Sequence, residues 1–202
     1  MRKIKPFTWT KKTLETVAWS LAGVVMVGAL TYYNFIDKAP AAGVEVGNHC
    51  PDFTAQTYQV QGDTFSPSGE TFTLSQQIGK VVIVNFWEVW CQGCIMELPE
   101  FNEIQEEYGD KVEVIAIAGV TSTIESAAKW MSEKKWLGWD DKHDWVDFSI
   151  TFGYLPTAVC TELGCSGMLL RTIVVDKSGI VTYAADSSMT YDKLQEIVES
   201  LL

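Results

Sequence analysis

The run "VVIVNFW" at residues 81–87 restricts the fold more than any other stretch of the chain. It is short, almost continuously apolar and rich in β-branched residues, the pattern of a strand buried on both faces. Four residues after Trp87 comes Cys91, and the chain then reads "CQGCIMELPEFNEIQEEY". Ile95, Leu98, Phe101, Ile104 and Tyr108 recur every three or four residues with acids between them, which predicts an amphipathic helix with Pro99 inside it as a kink. A Cys-x-x-Cys pair is thereby expected where a buried strand passes into a helix.

"VEVIAIAG" at 112–119 reads as the next buried strand. Ser122-Thr-Ile-Glu125 has the pattern of a capping box opening a helix that reaches about Lys135. Strand, helix, strand and helix in that order predict a crossover unit with a parallel strand pair. Near the end, "RTIVVDKSGIVTYAAD" holds two β-rich runs around Asp176-Lys-Ser-Gly179, a hairpin signal, and Leu194, Ile197, Val198 and Leu201 mark one face of a last helix. Residues 136–170 are the least regular part. Trp136, Trp139 and Trp145 in it read as cover for a long insertion.

Before the domain, residues 16–36 form a stretch without a single charge, bracketed by Glu15 and Asp37. As a helix it would measure about 31 Å, which matches the hydrocarbon core of a bilayer. Arg2, Lys3, Lys5, Lys11 and Lys12 precede it against Glu15 alone, so residues 1–15 are expected in the cytoplasm and the rest outside, in a single-pass cell-membrane protein. Ala39-Pro40-Ala41 offers a rival reading as a cleavage site, but the apolar run exceeds the ~7–15 residues of a signal core. Residues 37–47 read as a flexible linker and 48–202 as one domain. From residue 37 onward there are ten basic and twenty-five acidic residues, a net charge of −15. That balance argues against nucleic acid as a partner.

The cysteine pair has three readings: a redox couple, half of a metal site, or a staple. Zinc needs about four ligands, usually a second Cys-x-x-Cys or histidines; His49 and His143 are the only histidines and Cys160/Cys165 the only other close cysteine pair, so no metal is expected, nor any cofactor. A staple closing so short a loop gains little. The strand-to-helix position favours the redox couple, because unpaired N–H groups and the dipole at a helix N-terminus stabilise a thiolate on Cys91, while Cys94 lies one turn further on.

"GKVVIVNFWEVWCQGCIMELPEFNEI", with "VGNHCPDFTAQ" and "FTLSQQIGK" upstream, resembles the TlpA/ResA/DsbE-like branch of the thioredoxin superfamily. The resemblance covers roughly residues 44–120 and 171–202. It implies an α/β thioredoxin-like fold, a central mixed sheet flanked by helices and preceded by a transmembrane helix. It also implies a thiol-disulfide oxidoreductase with Cys91 as nucleophile and Cys94 as resolving cysteine, framed by Trp90, Gln92 and Gly93. Its partners would be extracytoplasmic protein thiols and disulfides and a membrane electron donor or acceptor, for example in cytochrome c maturation.

Two positions depart from that pattern. Asn85 stands where thioredoxin has a buried acid that deprotonates the resolving cysteine. The cis-proline that faces the cysteine pair in this superfamily is either Pro156, which would leave one strand too many, or is replaced by Leu169 or Leu170. "GMLLRTIVVDKSGIV" is also similar to peroxiredoxins, which would place Arg171 beside the reactive thiolate. A thiol peroxidase is therefore an alternative activity, although its signature proline and threonine would align with Trp87 and Cys91. A tethered binding module with structural cysteines is the non-enzymatic alternative. Cys160 and Cys165 are candidates for a second disulfide in an oxidising compartment. Cys50 reads as a small buried apolar residue.

Overall fold

The computed structural model describes residues 11–12, 19–20, 23–28, 42–61, 63–133, 147–165 and 170–202. The chain divides into two units, Met1–Ala39 and Pro40–Leu202. In the first, all the described residues are helical and exposed. Most of the span read at 16–36 lies outside the described residues, as do Trp136, Trp139, Trp145 and Leu169. Among the described residues no helix is long and apolar enough to cross a membrane.

The second unit is built on a seven-stranded sheet. Its strands are β1 (Thr54–Gln61), β2 (Thr64–Thr73), β3 (Val81–Phe86), β4 (Val112–Ala118), β5 (Thr151–Tyr154), β6 (Arg171–Val175) and β7 (Val181–Asp186), in the order β2-β1-β5-β4-β3-β6-β7. The helices are α1 (Gln92–Tyr108), α2 (Ile124–Glu133), α3 (Thr157–Glu162) and α4 (Tyr191–Glu199). The pairs β3·β4 and β4·β5 are parallel, and the remaining four are antiparallel, so the sheet is mixed. The expected crossover unit is present. Strand β5 and the short α3 fall in the region without a periodic signal, because neither is long enough to show one.

Alternation along β3 assigns each face its core. Val81 and Ile83 join Ile95, Leu98, Phe101 and Ile104 of α1, Ala127 and Met131 of α2, and Leu194 and Val198 of α4. Val82, Val84 and Phe86 point to the other face, where Ile173 and Val175 of β6, Cys160 of α3, Leu163 and Cys165 lie. The sheet thus carries α1, α2 and α4 on one side and α3 with the entry segment on the other. Part of the expected linker belongs to this packing. The Gly47 N–H donates to the Val181 carbonyl at 2.8 Å, and Val44 packs on the second core.

Helix α2 starts one residue later than the capping box predicts. The Thr123 hydroxyl accepts the Ser126 N–H at 3.2 Å while the Ser126 hydroxyl accepts the Thr123 N–H at 2.8 Å. Ser122 is withdrawn from capping because its hydroxyl donates to Glu88. Phe101 is fully buried in the α1 core. Its truncation to alanine should cost about 3–5 kcal/mol of stability, measured by urea denaturation with an unchanged m-value.

Candidate active site

The chain leaves the C-terminal end of buried β3, and a hydrogen-bonded turn, Cys91 N–H to the Glu88 carbonyl at 2.9 Å, leads into α1. Cys91 is the N-cap residue of that helix, and its Sγ accepts the Cys94 N–H at 3.3 Å. Cys91 and Cys94 are joined by a disulfide with a Cα–Cα distance of 5.3 Å. Cys94 is fully buried, whereas Cys91 is partly exposed and Gln92 and Gly93 are exposed. Trp90 is exposed too, and its indole N–H donates to the Thr121 hydroxyl at 2.9 Å. One sulfur is open to attack, and the other is reached only through it.

Leu170 occupies the place opposite the pair. Its side chain packs on the same core as Cys91 and lies 3.6 Å from where a Cβ on Gly93 would stand. It is the one non-glycine among the described residues with positive φ, at 82°. Pro156 does not fill the slot. No peptide bond among the described residues is cis, and Pro156 is an exposed N-cap of α3. The departure from proline is thereby assigned to Leu170.

The structure corrects the placement of Arg171. In β6, Thr172 faces α1 and Arg171 the opposite side, since neighbouring strand residues alternate. Its guanidinium pairs with Asp186 at 2.7 Å and donates to the Leu163 carbonyl at 3.1 Å. It therefore serves the core beneath α3. Cys160 and Cys165 lie in that core, buried and not bonded to each other. Burial above all, and each thiol's anionic neighbours, push Cys160 up to about 12 and Cys165 to about 11, with Arg171 partly offsetting the latter. Cys94 belongs to the core on the other face of the sheet. Cys50 is half-buried, and burial followed by the charge of Asp52 raises it to about 11. No cluster able to hold a metal occurs among the described residues.

Two acids missed in the sequence complete the site. Glu97 stands one helical turn beyond Cys94 on the buried side of α1. Its carboxyl accepts the Asn85 amide N–H at 3.2 Å and the Met189 N–H at 2.9 Å. Burial raises it to about 7, against the lowering effect of those two donors. The Asn85 amide also lies 3.4 Å from the Thr172 hydroxyl, and its carbonyl oxygen has no hydrogen-bond partner. A buried acid contributed by α1 thus stands beside Asn85. The second is Glu88, fully buried in the loop before Cys91. The signals were present: a charge within the apolar run "NFWEVW", and an acid three residues after Cys94 on a helix whose apolar side faces the sheet.

A family model described as AhpC/TSA matches residues 46–184. The thioredoxin-like protein YneN of Bacillus subtilis is 28% identical over 182 residues, covering 87% of this chain and 94% of its own. The thiol-disulfide oxidoreductase ResA of Geobacillus kaustophilus is 29% identical over 179 residues, 87% of each chain. Among solved structures, a putative thiol:disulfide interchange protein DsbE from Chlorobium tepidum superposes with a TM-score of 0.60 at 22% identity, over 79% of this chain and 100% of that one.

Folding should be pH-dependent through Glu97. Its pKa rises from 4.5 to about 7, so the folded protein keeps a proton that the unfolded chain loses. The resulting stabilisation is complete below about pH 4.5 and lost as pH rises through about 7, with a magnitude on the order of 3 kcal/mol. Urea melts from pH 4 to 8 should show this slope in the wild type and a flatter profile in Glu97→Gln.

The chain belongs to the AhpC/TSA family, with the thioredoxin-like fold and the Cys-x-x-Cys site of a thiol-disulfide oxidoreductase.

Proposed function

We propose that this protein exchanges disulfides with other extracytoplasmic proteins while anchored to the membrane through residues 16–36. The observation that carries the chemistry is the partly exposed Cys91 at the N-cap of α1, bonded to a fully buried Cys94. In the reducing direction the Cys91 thiolate attacks one sulfur of a client disulfide and the other sulfur leaves as a thiolate. Cys94, after losing its proton, attacks Cys91 and expels the second client sulfur. Two electrons pass to the client, and the Cys91–Cys94 disulfide is restored. Glu97 is the group available to take that proton, because its pKa near 7 lets it exist in both forms at neutral pH.

The uncharged run at 16–36 and its basic flank support the anchor and the outward placement of the domain. A membrane electron donor would then recharge the pair. Reduction of partner disulfides, those of cytochrome c maturation among them, is the direction that the family resemblance suggests. The peroxidase alternative asks Cys94 to meet peroxide with Arg171 beside it. Cys94 is 0% exposed, and Arg171 faces the other side of the sheet.

Cys94→Ser in the full-length chain should accumulate mixed disulfides through Cys91 that dissolve in dithiothreitol, and Cys91→Ser should accumulate none. Non-reducing gels with mass spectrometry of the captured partners read both. Absence of any Cys91-linked adduct, with peroxide consumption that survives Cys91→Ser and vanishes in Cys94→Ser, would replace this reading by the peroxidase.

A further inference from the structure

Glu88 lies in the loop that carries β3 into the Cys91 turn, and it is 0% exposed. A buried carboxylate costs several kcal/mol unless donors surround it. One oxygen accepts the N–H groups of Gly119 at 3.1 Å, Thr121 at 2.8 Å and Ser122 at 3.3 Å. The other accepts the Ser122 hydroxyl. All four donors come from the loop between β4 and α2. That loop is packed closely against the next segment: Gly119 has φ of +145°, and a Cβ there would overlap the Leu155 carbonyl. The Thr157 hydroxyl also lies 3.1 Å from the carbonyls of both Gly119 and Val120.

The same residue reaches the nucleophile from its backbone side. Its carbonyl accepts the Cys91 N–H, and Trp90, between Glu88 and the helix, is latched to Thr121. A buried negative charge is therefore fixed three residues before Cys91, across the turn that opens α1. The groups that bind it are neutral N–H and O–H donors, so its field is not cancelled by a cation among them. It reaches other groups: burial first, and then neighbouring charges that include Glu88, raise the pKa values of the partly buried Tyr58 and Tyr154 and of the buried Cys160.

We propose that Glu88 is a positioning residue whose fixed charge opposes the α1 dipole at Cys91, making the thiolate less stable and the Cys91/Cys94 pair a stronger reductant. This inference rests on the thiol-disulfide exchange proposed above. A negative charge disfavours the Cys91 thiolate of the reduced form and leaves the neutral disulfide untouched. The pair then yields its two electrons to a client disulfide more readily, and the client leaves as two thiols.

Glu88→Gln separates charge from clamp. The glutamine Oε1 can accept the same three N–H groups and its Nε2 can donate to the Ser122 hydroxyl, so the loop stays tied while the charge goes. Glu88→Ala removes both. The full-length chain is reduced, and alkylation of Cys91 by iodoacetamide is followed against pH by mass spectrometry; a second aliquot is equilibrated with glutathione buffers. In Glu88→Gln the alkylation profile should move to lower pH, with the thiolate fraction on its rising limb increased about threefold or more. The glutathione equilibrium should move toward the reduced protein. Profiles of Glu88→Gln and wild type that superimpose would overturn the inference and leave Glu88 a structural clamp, seen only as lost stability in Glu88→Ala. A wild-type pair inert to glutathione would instead defeat the exchange reading, while the alkylation comparison would still decide the effect of Glu88 on Cys91.

Discussion

Strand β3 gives solvent none of its side chains: every residue from Val81 to Phe86 is buried. A strand in that condition needs a packed layer on each face and a paired strand on each edge. β4 and β6 supply the edges, the α1, α2 and α4 core covers one face, and the core around α3 covers the other. The exit of β3 is consequently held from four directions, and the turn at Glu88–Cys91 inherits that rigidity. A thiol at the N-cap of α1 is thereby fixed in direction, with its partner already behind the helix surface.

The two sides of the sheet separate two kinds of sulfur chemistry. On the α1 side, a disulfide bridges an accessible and an inaccessible sulfur, with a carboxyl near neutral pKa one turn away. On the α3 side, Cys160 and Cys165 sit in an apolar core that opposes ionisation. Burial depth and the local donors decide reactivity here, because only a thiolate attacks a disulfide. Arg171, whose charge lowers the pKa of Cys165, is itself bound to Asp186 and a backbone carbonyl.

Buried polar groups in the site are arranged as two clamps. Glu88 ties the loop before Cys91 to the loop after β4, and Glu97 ties α1 to Asn85 of β3 and to the Met189 backbone before α4. One acid precedes the cysteine pair and the other follows it by a helical turn, and they differ in their donors. Glu88 takes four hydrogen bonds, all from one loop, whereas Glu97 takes two, and its burial raises its pKa to about 7.

The sequence alone determined the strand-to-helix junction at Cys91, the parallel crossover, the closing hairpin and the last helix, because each is a local periodicity with its own turn or cap. Asn85 and the departure from proline were also legible, since both are identities at positions that a motif defines. Strand β5 and helix α3 were not, being too short to leave a pattern. The choice of Leu170 over Pro156, the turning of Arg171 away from the cysteines and the joining of Glu88 to Gly119–Ser122 were decided by tertiary structure. Each depends on which face of the sheet a residue takes, or on contacts between segments tens of residues apart. Periodicity along the chain specifies which side chains are buried, and only the packed sheet decides what meets them there.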